Sequence, residues 1–209
     1  MMLAQAEAAF GQMDVSRETL DRLIRYAALL EKWNPAINLV SKSTLASLWS
    51  RHMLDSAQIF DFMPEGARHW ADLGSGGGFP GLVVAILAAE QAPDLRVTLV
   101  ESDRRKATFL STVLRETGVT ATVRAERIED VPPLAADVLS ARALAALSQL
   151  LGFAEMHLSA TGVGLFPKGS AWKSELRDAR QEWSFSCQEQ PSVTDPEAVI
   201  LKIQGVSRV

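Results

Sequence analysis

Hydrophobic positions in the first third of the chain recur every three or four residues, which is the spacing of an amphipathic helix. One predicted helix begins near the candidate caps Ser16 and Thr19 and has an apolar face made of Leu20, Leu23, Ile24, Ala27 and Leu30. A second is predicted from Thr44 to Met63, with an apolar stripe of Leu45, Leu48, Trp49, Met53 and Ile59. Between them we predict a loop over residues 33–39, because Pro35 disfavours a helical conformation at Asn34.

From His69 onward, short apolar runs alternate with helical stretches. We predict strands at roughly 69–73, 96–101, 120–124, 136–140, 161–167, 183–189 and 197–204. Helices are predicted near 79–90, 104–117, 144–158 and 171–181. This alternation with short connections indicates an α/β fold, in which helices cover both faces of a parallel sheet. The last two strands have no helix between them, so we expect them to form an antiparallel hairpin.

Composition and charge narrow the function classes. The 209 residues carry a net charge of −4, which argues against a protein that coats nucleic acid by bulk charge. A single cysteine, Cys187, excludes an internal disulfide, and the three scattered histidines lead us to expect no metal site. The N-terminus lacks a basic start, and the uncharged runs contain glycine or fall short of about 18 residues. We therefore expect no signal peptide, no membrane span and a cytoplasmic location.

The segment from Asp72 to Gly81 is the most informative in the chain. It places Gly74, Gly76 and Gly78 between the first predicted strand and a strongly apolar helix. A glycine-rich turn at the carboxyl end of a parallel strand lets the backbone come within contact distance of a ligand. A merely tight turn needs fewer glycines, so we interpret this loop as a ligand-binding loop.

Two cofactor classes fit the glycine loop. The spacing Gly76-x-Gly78-x-x-Gly81 matches the dinucleotide fingerprint, and the spacing Asp72-x-Gly74-x-Gly76-x-Gly78 matches the loop that binds nucleoside methyl donors. A dinucleotide would place its anionic pyrophosphate near the Asp72 carboxylate, which would repel it. S-adenosylmethionine carries a cationic sulfonium and ammonium instead, so charge favours the methyl donor.

Two further residues bear on the cofactor. Glu101 ends the second predicted strand, where a carboxylate can accept hydrogen bonds from the ribose hydroxyls of either cofactor. The only tyrosine, Tyr26, lies upstream of the loop and has no lysine four residues later. The tyrosine–lysine pair of short-chain dehydrogenases is therefore absent, which further favours the methyl donor over a nicotinamide.

Three short motifs accompany the loop Asp72–Gly81: Arg51-His52-Met53-Leu54-Asp55-Ser56, Ser140-Ala141-Arg142-Ala143 and Pro167-Lys168-Gly169. In this order they resemble the bacterial 16S ribosomal RNA guanine-N7 methyltransferases, also known as glucose-inhibited division protein B. The resemblance covers about residues 17–204. It implies a Rossmann-like class I methyltransferase fold with a seven-stranded, mostly parallel sheet. A helical cap is expected over residues 1–66 and a compact methyltransferase domain over residues 67–209.

The resemblance also implies an activity and a set of contacts. S-adenosylmethionine is the expected methyl donor and S-adenosylhomocysteine the expected product. The expected acceptor is N7 of one guanine in the decoding-region loop of 16S rRNA, within the small subunit or an assembly intermediate, and we expect a monomer. Carried over residue by residue, the cofactor contacts fall on Gly74, Phe79, Ile128, Glu129 and Arg142. The glycine loop and the strand ends add Asp72, Gly76, Gly78 and Glu101 to this set.

Guanine N7 has a lone pair and no proton to remove, so no general base is expected. Arg51, His52 and Lys168 are candidates for positioning the substrate. For Arg51 and His52 the alternative is a local polar network on one helix face, and for Lys168 a solvated side chain. Arg142 follows the carboxyl end of a predicted strand, where ligands bind, so it is a candidate ligand contact. The alternative role for Arg142 is a structural salt bridge to a nearby acidic residue. Two other functions stay open at this point: a methyltransferase acting on another RNA, a small molecule or a protein, and a binding module without activity.

Overall fold

A computed structural model of the chain describes residues 2–11 and 13–209, so positions 1 and 12 of the expected cap lie outside the described residues. The strands are β1 (His69–Leu73), β2 (Arg96–Val100), β3 (Thr122–Arg124), β4 (Ala136–Ser140), β5 (Leu158–Lys168), β6 (Trp183–Pro191) and β7 (Val199–Arg208). They form one sheet in the order β3-β2-β1-β4-β5-β7-β6.

The strand directions confirm the predicted fold class. β1 pairs in parallel with β2 and β4, and the parallel arrangement continues from β2 to β3 and from β4 to β5. β7 runs antiparallel to both β5 and β6, as expected of a C-terminal hairpin. β7 extends to Arg208, beyond the predicted end near residue 204, since main-chain pairing with β6 continues after the apolar pattern stops.

Eight α-helices lie within the described ranges: α1 (Met2–Phe10), α2 (Arg17–Ile37), α3 (Lys42–Leu45), α4 (Asp55–Ala57), α5 (Gly81–Gln91), α6 (Arg104–Thr117), α7 (Leu147–His157) and α8 (Trp172–Ala179). α5 is buried at every position from Gly81 to Ala88. It packs on β2 on one side and on α2 and α4 on the other. This double coverage explains why its sequence is apolar all round rather than amphipathic.

The predicted loop over residues 33–39 is wrong, because α2 continues through Pro35 to Ile37. The helix begins as predicted, with the Ser16 side chain accepting a hydrogen bond from the Thr19 amide. Pro35 removes only one donor, in the last turn, and the Asn38 amide still donates to the Asn34 carbonyl. The Asn34 side chain also accepts from the Val40 amide, which fixes the chain where it leaves the helix.

The predicted single helix from Thr44 to Met63 is broken into pieces. After α3, a π-helical turn covers Trp49–Leu54, α4 follows, and a 3₁₀ turn covers Gln58–Phe62. The apolar stripe is nevertheless buried as expected at Leu48, Trp49, Met53 and Ile59. A π turn widens the helix and re-aims the side chains next to it, and such turns are frequent at functional sites.

Hydrophobic clusters lie on both faces of the sheet. One joins the N-terminal helices to α5 and α6, and includes Leu23, Tyr26, Met53 and Phe109. The other lies under α7 and α8 and includes Leu151 and Trp183. The expected cap thus shares one continuous core with the sheet, and the boundary between residues 66 and 67 stays a prediction.

Candidate functional site

The loop between β1 and α5 is held in a conformation that suits glycine. Gly74, Gly76 and Gly78 have φ values of 63°, 55° and 96°, in the left-handed region that other residues rarely adopt. A Cβ atom added to Gly78 would lie 2.7 Å from the Tyr26 hydroxyl oxygen. The loop is closed at its base because the Ser75 amide donates to the Val100 carbonyl at 3.0 Å.

Tyr26 of α2 ties the glycine loop to the N-terminal helices. Its hydroxyl donates to the Gly77 carbonyl oxygen at 2.5 Å, and its ring stacks on Phe79 with the centroids 5.3 Å apart. Burial raises the pKa of Tyr26 well above its ordinary value, so the phenol stays protonated and remains a donor. From the sequence, Tyr26 served only as evidence against a dehydrogenase, and its contact with the loop was missed.

Asp72 lies beneath the glycine loop rather than in its ligand-facing surface. Its side chain is fully buried; Oδ2 accepts from the Gly81 amide at 3.2 Å, and Oδ1 accepts from the Ser140 hydroxyl at 2.7 Å. The Trp70 indole in turn donates to the Ser140 oxygen at 2.8 Å. Burial raises the pKa of Asp72 to about 6, although its hydrogen bonds oppose this. The structure therefore gives Asp72 the position of a bridge between the glycine loop and the end of β4.

A cavity of about 550 Å³ opens at the carboxyl ends of β1, β2 and β4, and we call it the donor cavity. Its size is ordinary for a small-molecule site. Seven of the predicted cofactor residues line it: Gly74, Gly76, Phe79, Glu101, Ile128, Glu129 and Arg142. Asp72 and Gly78 do not line it. The wall also includes residues that the prediction missed, among them Leu39, Val40, Lys106 and Phe153.

The Glu101 carboxylate is fixed in the donor cavity by two backbone donors. Oε2 accepts from the Gly76 amide at 2.8 Å, and Oε1 accepts from the Asp103 amide at 2.7 Å. A carboxylate oxygen can accept more than one hydrogen bond, so both oxygens keep capacity for a ligand. The donor set therefore fits S-adenosylmethionine: oriented carboxylate oxygens suit ribose hydroxyls, and the glycine loop supplies main-chain contacts.

Arg142 is held by the π-helical turn and the first residue of α4. Its guanidinium donates to the Arg51 carbonyl at 3.0 Å, to Asp55 Oδ2 at 3.1 Å and to His52 Nδ1 at 2.7 Å. It also lies over the Phe79 ring, 5.1 Å from the centroid. The sequence left two roles open for Arg142, a ligand contact or a structural salt bridge. The structure shows the salt bridge, with Asp55, and also places Arg142 in the wall of the donor cavity.

The hydrogen bonds of His52 define its protonation. A guanidinium can only donate, so Nδ1 accepts from Arg142, and Nε2 therefore carries the proton and faces Thr44 Oγ1 at 2.9 Å. Burial, followed by the positive charges of Arg142 and Arg51, lowers the pKa of His52 to about 4. His52 is neutral at physiological pH.

A second cavity, of about 450 Å³, adjoins the donor cavity, and we call it the acceptor cavity. The two share four wall residues: His52, Arg142, Ala143 and Ala145. All three predicted substrate-positioning residues line the acceptor cavity: Arg51, His52 and Lys168. Its wall also holds Asp55, Glu175 and Thr194, which the prediction of site residues did not include.

The tip of the β6–β7 hairpin closes one side of the acceptor cavity. Thr194 Oγ1 donates to Asp55 Oδ1 at 2.8 Å, and the Val193 amide donates to Gln58 Oε1 at 2.9 Å. Asp55 therefore accepts a hydrogen bond from the hairpin at Oδ1 and one from Arg142 at Oδ2. The Asp55 pairs with Thr194 and with Arg142 are separated by 139 and 87 residues in sequence, so no local pattern could have indicated them.

Comparison with known proteins identifies the family. The family model described as rRNA small subunit methyltransferase G matches residues 19–202. The ribosomal RNA small subunit methyltransferase G of Ruegeria sp. is 59% identical over 198 residues, which are 95% of this chain and 96% of that protein. The protein of the same name from Cereibacter sphaeroides is 53% identical over 203 residues, 97% of this chain and 98% of that one. The chain belongs to the rRNA small subunit methyltransferase G family.

Membership confirms the predicted family, the methyltransferase class and S-adenosylmethionine as the methyl donor. The nicotinamide cofactor and the inactive binding module are thereby set aside. The individual roles predicted for the site residues stay predictions, because family membership alone assigns no atom to any of them.

Solved structures support the same fold. A TehB-like SAM-dependent methyltransferase from Corynebacterium glutamicum matches 86% of this chain and 97% of its own, with a TM-score of 0.57 and 14% identity. M. jannaschii TYW2, solved in complex with AdoMet, matches 78% of each chain, with a TM-score of 0.55 and 12% identity. Within residues 2–11 and 13–209 of this family member, no helix has the length and apolar character that crossing a membrane requires.

Proposed function

We propose that this chain transfers the methyl group of S-adenosylmethionine to N7 of one guanine in the decoding-region loop of 16S rRNA. The observation that carries the proposal is the pair of adjoining cavities, whose common wall contains Arg142 and His52. One cavity holds the oriented Glu101 carboxylate and the glycine loop, and the other is lined by polar side chains. The shared lining residues make the two cavities adjacent, so a methyl donor in one and a base in the other would lie next to each other, and transfer requires their reacting atoms to be in direct contact where the cavities meet.

The donor cavity fits the cofactor, which supplies an electrophilic methyl group when it is bound. Glu101 would bind the ribose hydroxyls, and the backbone around Ile128 would border the adenine. Phe79 packs against both the Tyr26 and the His52 ring, with centroid distances of 5.3 and 5.0 Å, and these contacts support the wall beside the glycine loop. Asp72 would act from beneath, by fixing the Gly81 amide and Ser140.

The residues around the acceptor cavity position the base and do not remove a proton. Guanine N7 presents a lone pair and no hydrogen, so positioning and electrostatics account for the rate. A methylated N7 makes the base cationic. The Arg142 charge is balanced by Asp55 at 3.1 Å, and His52 is neutral, so the common wall adds little positive charge against that product.

We also propose the setting of the reaction. The substrate is 16S rRNA within the small subunit or an assembly intermediate, and the chain acts as a monomer in the bacterial cytoplasm. Residues 1–66 act as a helical cap on the catalytic domain of residues 67–209. The hydrogen bond from Tyr26 of the cap to the Gly77 carbonyl of the glycine loop supports this proposal, because through it the cap helps to hold the cofactor loop.

Label transfer tests the proposal. Purified protein is incubated with methyl-labelled S-adenosylmethionine and, in separate reactions, with small subunits, naked 16S rRNA, an unrelated RNA or a metabolite mixture. We expect label in 16S rRNA, released on digestion as 7-methylguanosine and mapped to one position. Label in the unrelated RNA or a metabolite would support the alternative substrates, and a methyl group on another atom would contradict N7 transfer.

A further inference from the structure

The acceptor cavity contains a lysine and a glutamate that hold each other. Lys168, at the end of β5, donates from Nζ to Glu175 Oε2 at 2.7 Å and to the Ala145 carbonyl at 2.9 Å. Its side chain is only 9% exposed. Glu175, on α8, accepts at the same oxygen from the Leu147 amide at 2.9 Å, at the start of α7. The pair is therefore fixed from two directions.

This arrangement makes a phosphate contact unfavourable for Lys168. A phosphate would have to displace the Glu175 carboxylate, which already neutralises the ammonium in a largely buried position. The other interior cation of the cavity, Arg142, is likewise paired, with Asp55. A neutral ligand with both donors and acceptors suits such a wall better than an anion does.

Each member of the pair keeps one unused group. An ammonium has three hydrogens, and Lys168 uses two of them on Glu175 and Ala145. Glu175 receives both of its hydrogen bonds at Oε2, and among the described residues nothing donates to Oε1. The wall thus offers one donor and, beside it, one charged acceptor.

That combination matches the Watson–Crick edge of guanine. Guanine presents the O6 acceptor next to the N1–H donor, with the N2 amino group beyond it. Adenine presents the reverse order, an amino donor next to the N1 lone pair. We propose that Glu175, positioned by Lys168, selects guanine in the acceptor cavity: the free carboxylate oxygen accepts from N1–H or the N2 amino group, and Lys168 donates to O6. This inference rests on the proposed function.

The same contact explains why adenine would be rejected. Its N1 lone pair would face a carboxylate in a partly buried site, with no hydrogen between the two acceptors. Leaving buried polar groups unpaired discriminates more strongly than adding a contact does. RNA-modifying proteins read unstacked bases through their Watson–Crick edges in this way.

The variant Glu175→Gln tests the assignment. It keeps the shape of the side chain and an oxygen for the Leu147 amide, but its amide nitrogen can donate to adenine N1. The measurement compares RNAs that carry guanine or adenine at the mapped target position, as competing substrates for labelled methyl transfer. If transfer to the adenine RNA is too slow to measure, the relative affinities of the two RNAs are measured by competition binding instead. We expect the preference for guanine to fall roughly 10- to 100-fold, the size of one good base contact.

A matched control lies on the same side of the sheet. Glu182 accepts from the Ser148 hydroxyl at 3.2 Å, is exposed and does not line the acceptor cavity, so Glu182→Gln should keep the wild-type preference. The preference is the ratio of guanine to adenine use by one protein sample. If part of the Glu175→Gln protein is unfolded, both terms of this ratio fall equally and the ratio is unchanged. Binding of S-adenosylmethionine, measured by calorimetry, should be unchanged in both variants.

The outcomes distinguish this inference from the proposed function. Wild-type transfer to guanine N7 combined with an unchanged preference in Glu175→Gln overturns this inference and leaves the proposed function standing. Equal use of guanine and adenine by the wild-type protein also overturns it. Absence of any transfer to guanine N7 in the label-transfer experiment overturns the proposed function and this inference together.

Discussion

Replacing the buried carboxylate beneath the glycine loop should make the protein more stable at neutral pH and less able to bind its cofactor. Asp72 is fully buried, and burial raises its pKa from 3.8 to about 6. The native state therefore takes up a proton at a higher pH than the unfolded state does. As pH rises from about 4 to about 6, the unfolded chain ionises first, so the free energy of unfolding falls and the full cost is present above about pH 6.

The magnitude follows from the pKa difference. Each pKa unit corresponds to about 1.4 kcal/mol, so a shift of about two units costs the wild-type fold about 3 kcal/mol above pH 6. Asp72→Asn removes the titration but retains an acceptor for only one of its two donors, the Gly81 amide or the Ser140 hydroxyl. Losing one of these hydrogen bonds destabilises the variant by about 1 to 2 kcal/mol, which offsets part of that gain. We expect the variant to be more stable than wild type by about 1 to 2 kcal/mol at pH 8.

Urea unfolding followed by tryptophan fluorescence measures this difference, since the chain has five tryptophans. Between pH 4.5 and pH 8, the stability of Asp72→Asn relative to wild type should increase by about 2 kcal/mol. Asp137→Asn serves as the control: Asp137 is only partly buried and accepts from the Arg68 and His69 amides at the opposite end of the sheet. A relative stability of Asp72→Asn that does not change with pH would refute the buried-charge argument.

Three further substitutions probe the donor cavity and the contacts that support it, and a fourth serves as a control. Tyr26→Phe removes the hydrogen bond to Gly77 and should weaken cofactor binding about 5- to 10-fold in calorimetry, the value of about one hydrogen bond. Ala143 has a φ of 52° and lines both cavities, so Ala143→Gly should raise stability by about 1 kcal/mol but lower kcat. Ala135→Gly, at φ 47° and outside both cavities, should give the same gain in thermal unfolding without a change in kcat. Arg142→Lys cannot reach Asp55, His52 and the Arg51 carbonyl together, and steady-state kinetics should show at least about a 10-fold loss of kcat/KM.

Local sequence signals predict the parts of the site that local structure determines. The glycine loop and Glu101 follow directly from strand ends, and their spacing alone places both at the carboxyl edge of the sheet. Asp72 shows the limit of that reasoning, because its spacing to the glycines does not say which way its side chain points. The structure directs it away from the donor cavity, toward the Gly81 amide and Ser140, and a charge argument alone could not have indicated this.

The parts that sequence could not supply depend on pairs far apart in the chain. Arg142 meets Asp55 across 87 residues, and Glu175 of α8 accepts from the Leu147 amide across 28 residues. Lys168 and Glu175 are only seven residues apart, but they lie in different elements, β5 and α8. The rule that disfavours a helix before proline also misled, for a local reason: Pro35 lies in the last turn of α2, so the helix continues to Ile37. The contacts of Arg142 and Glu175, by contrast, depend on how the chain folds around the sheet.

These pairings also change what the net charge of −4 means for RNA binding. Arg142 and Lys168, two of the cations that line the acceptor cavity, are neutralised by Asp55 and Glu175, so they contribute little to attraction of the phosphate backbone. A protein that releases few counterions shows a shallow dependence of affinity on salt. On the proposal made above for Glu175 and Lys168, selectivity comes from the edge of one unstacked base. An acidic enzyme can modify a single RNA site on those terms, because the proposed role of these interior charges is to read a base rather than to hold a backbone.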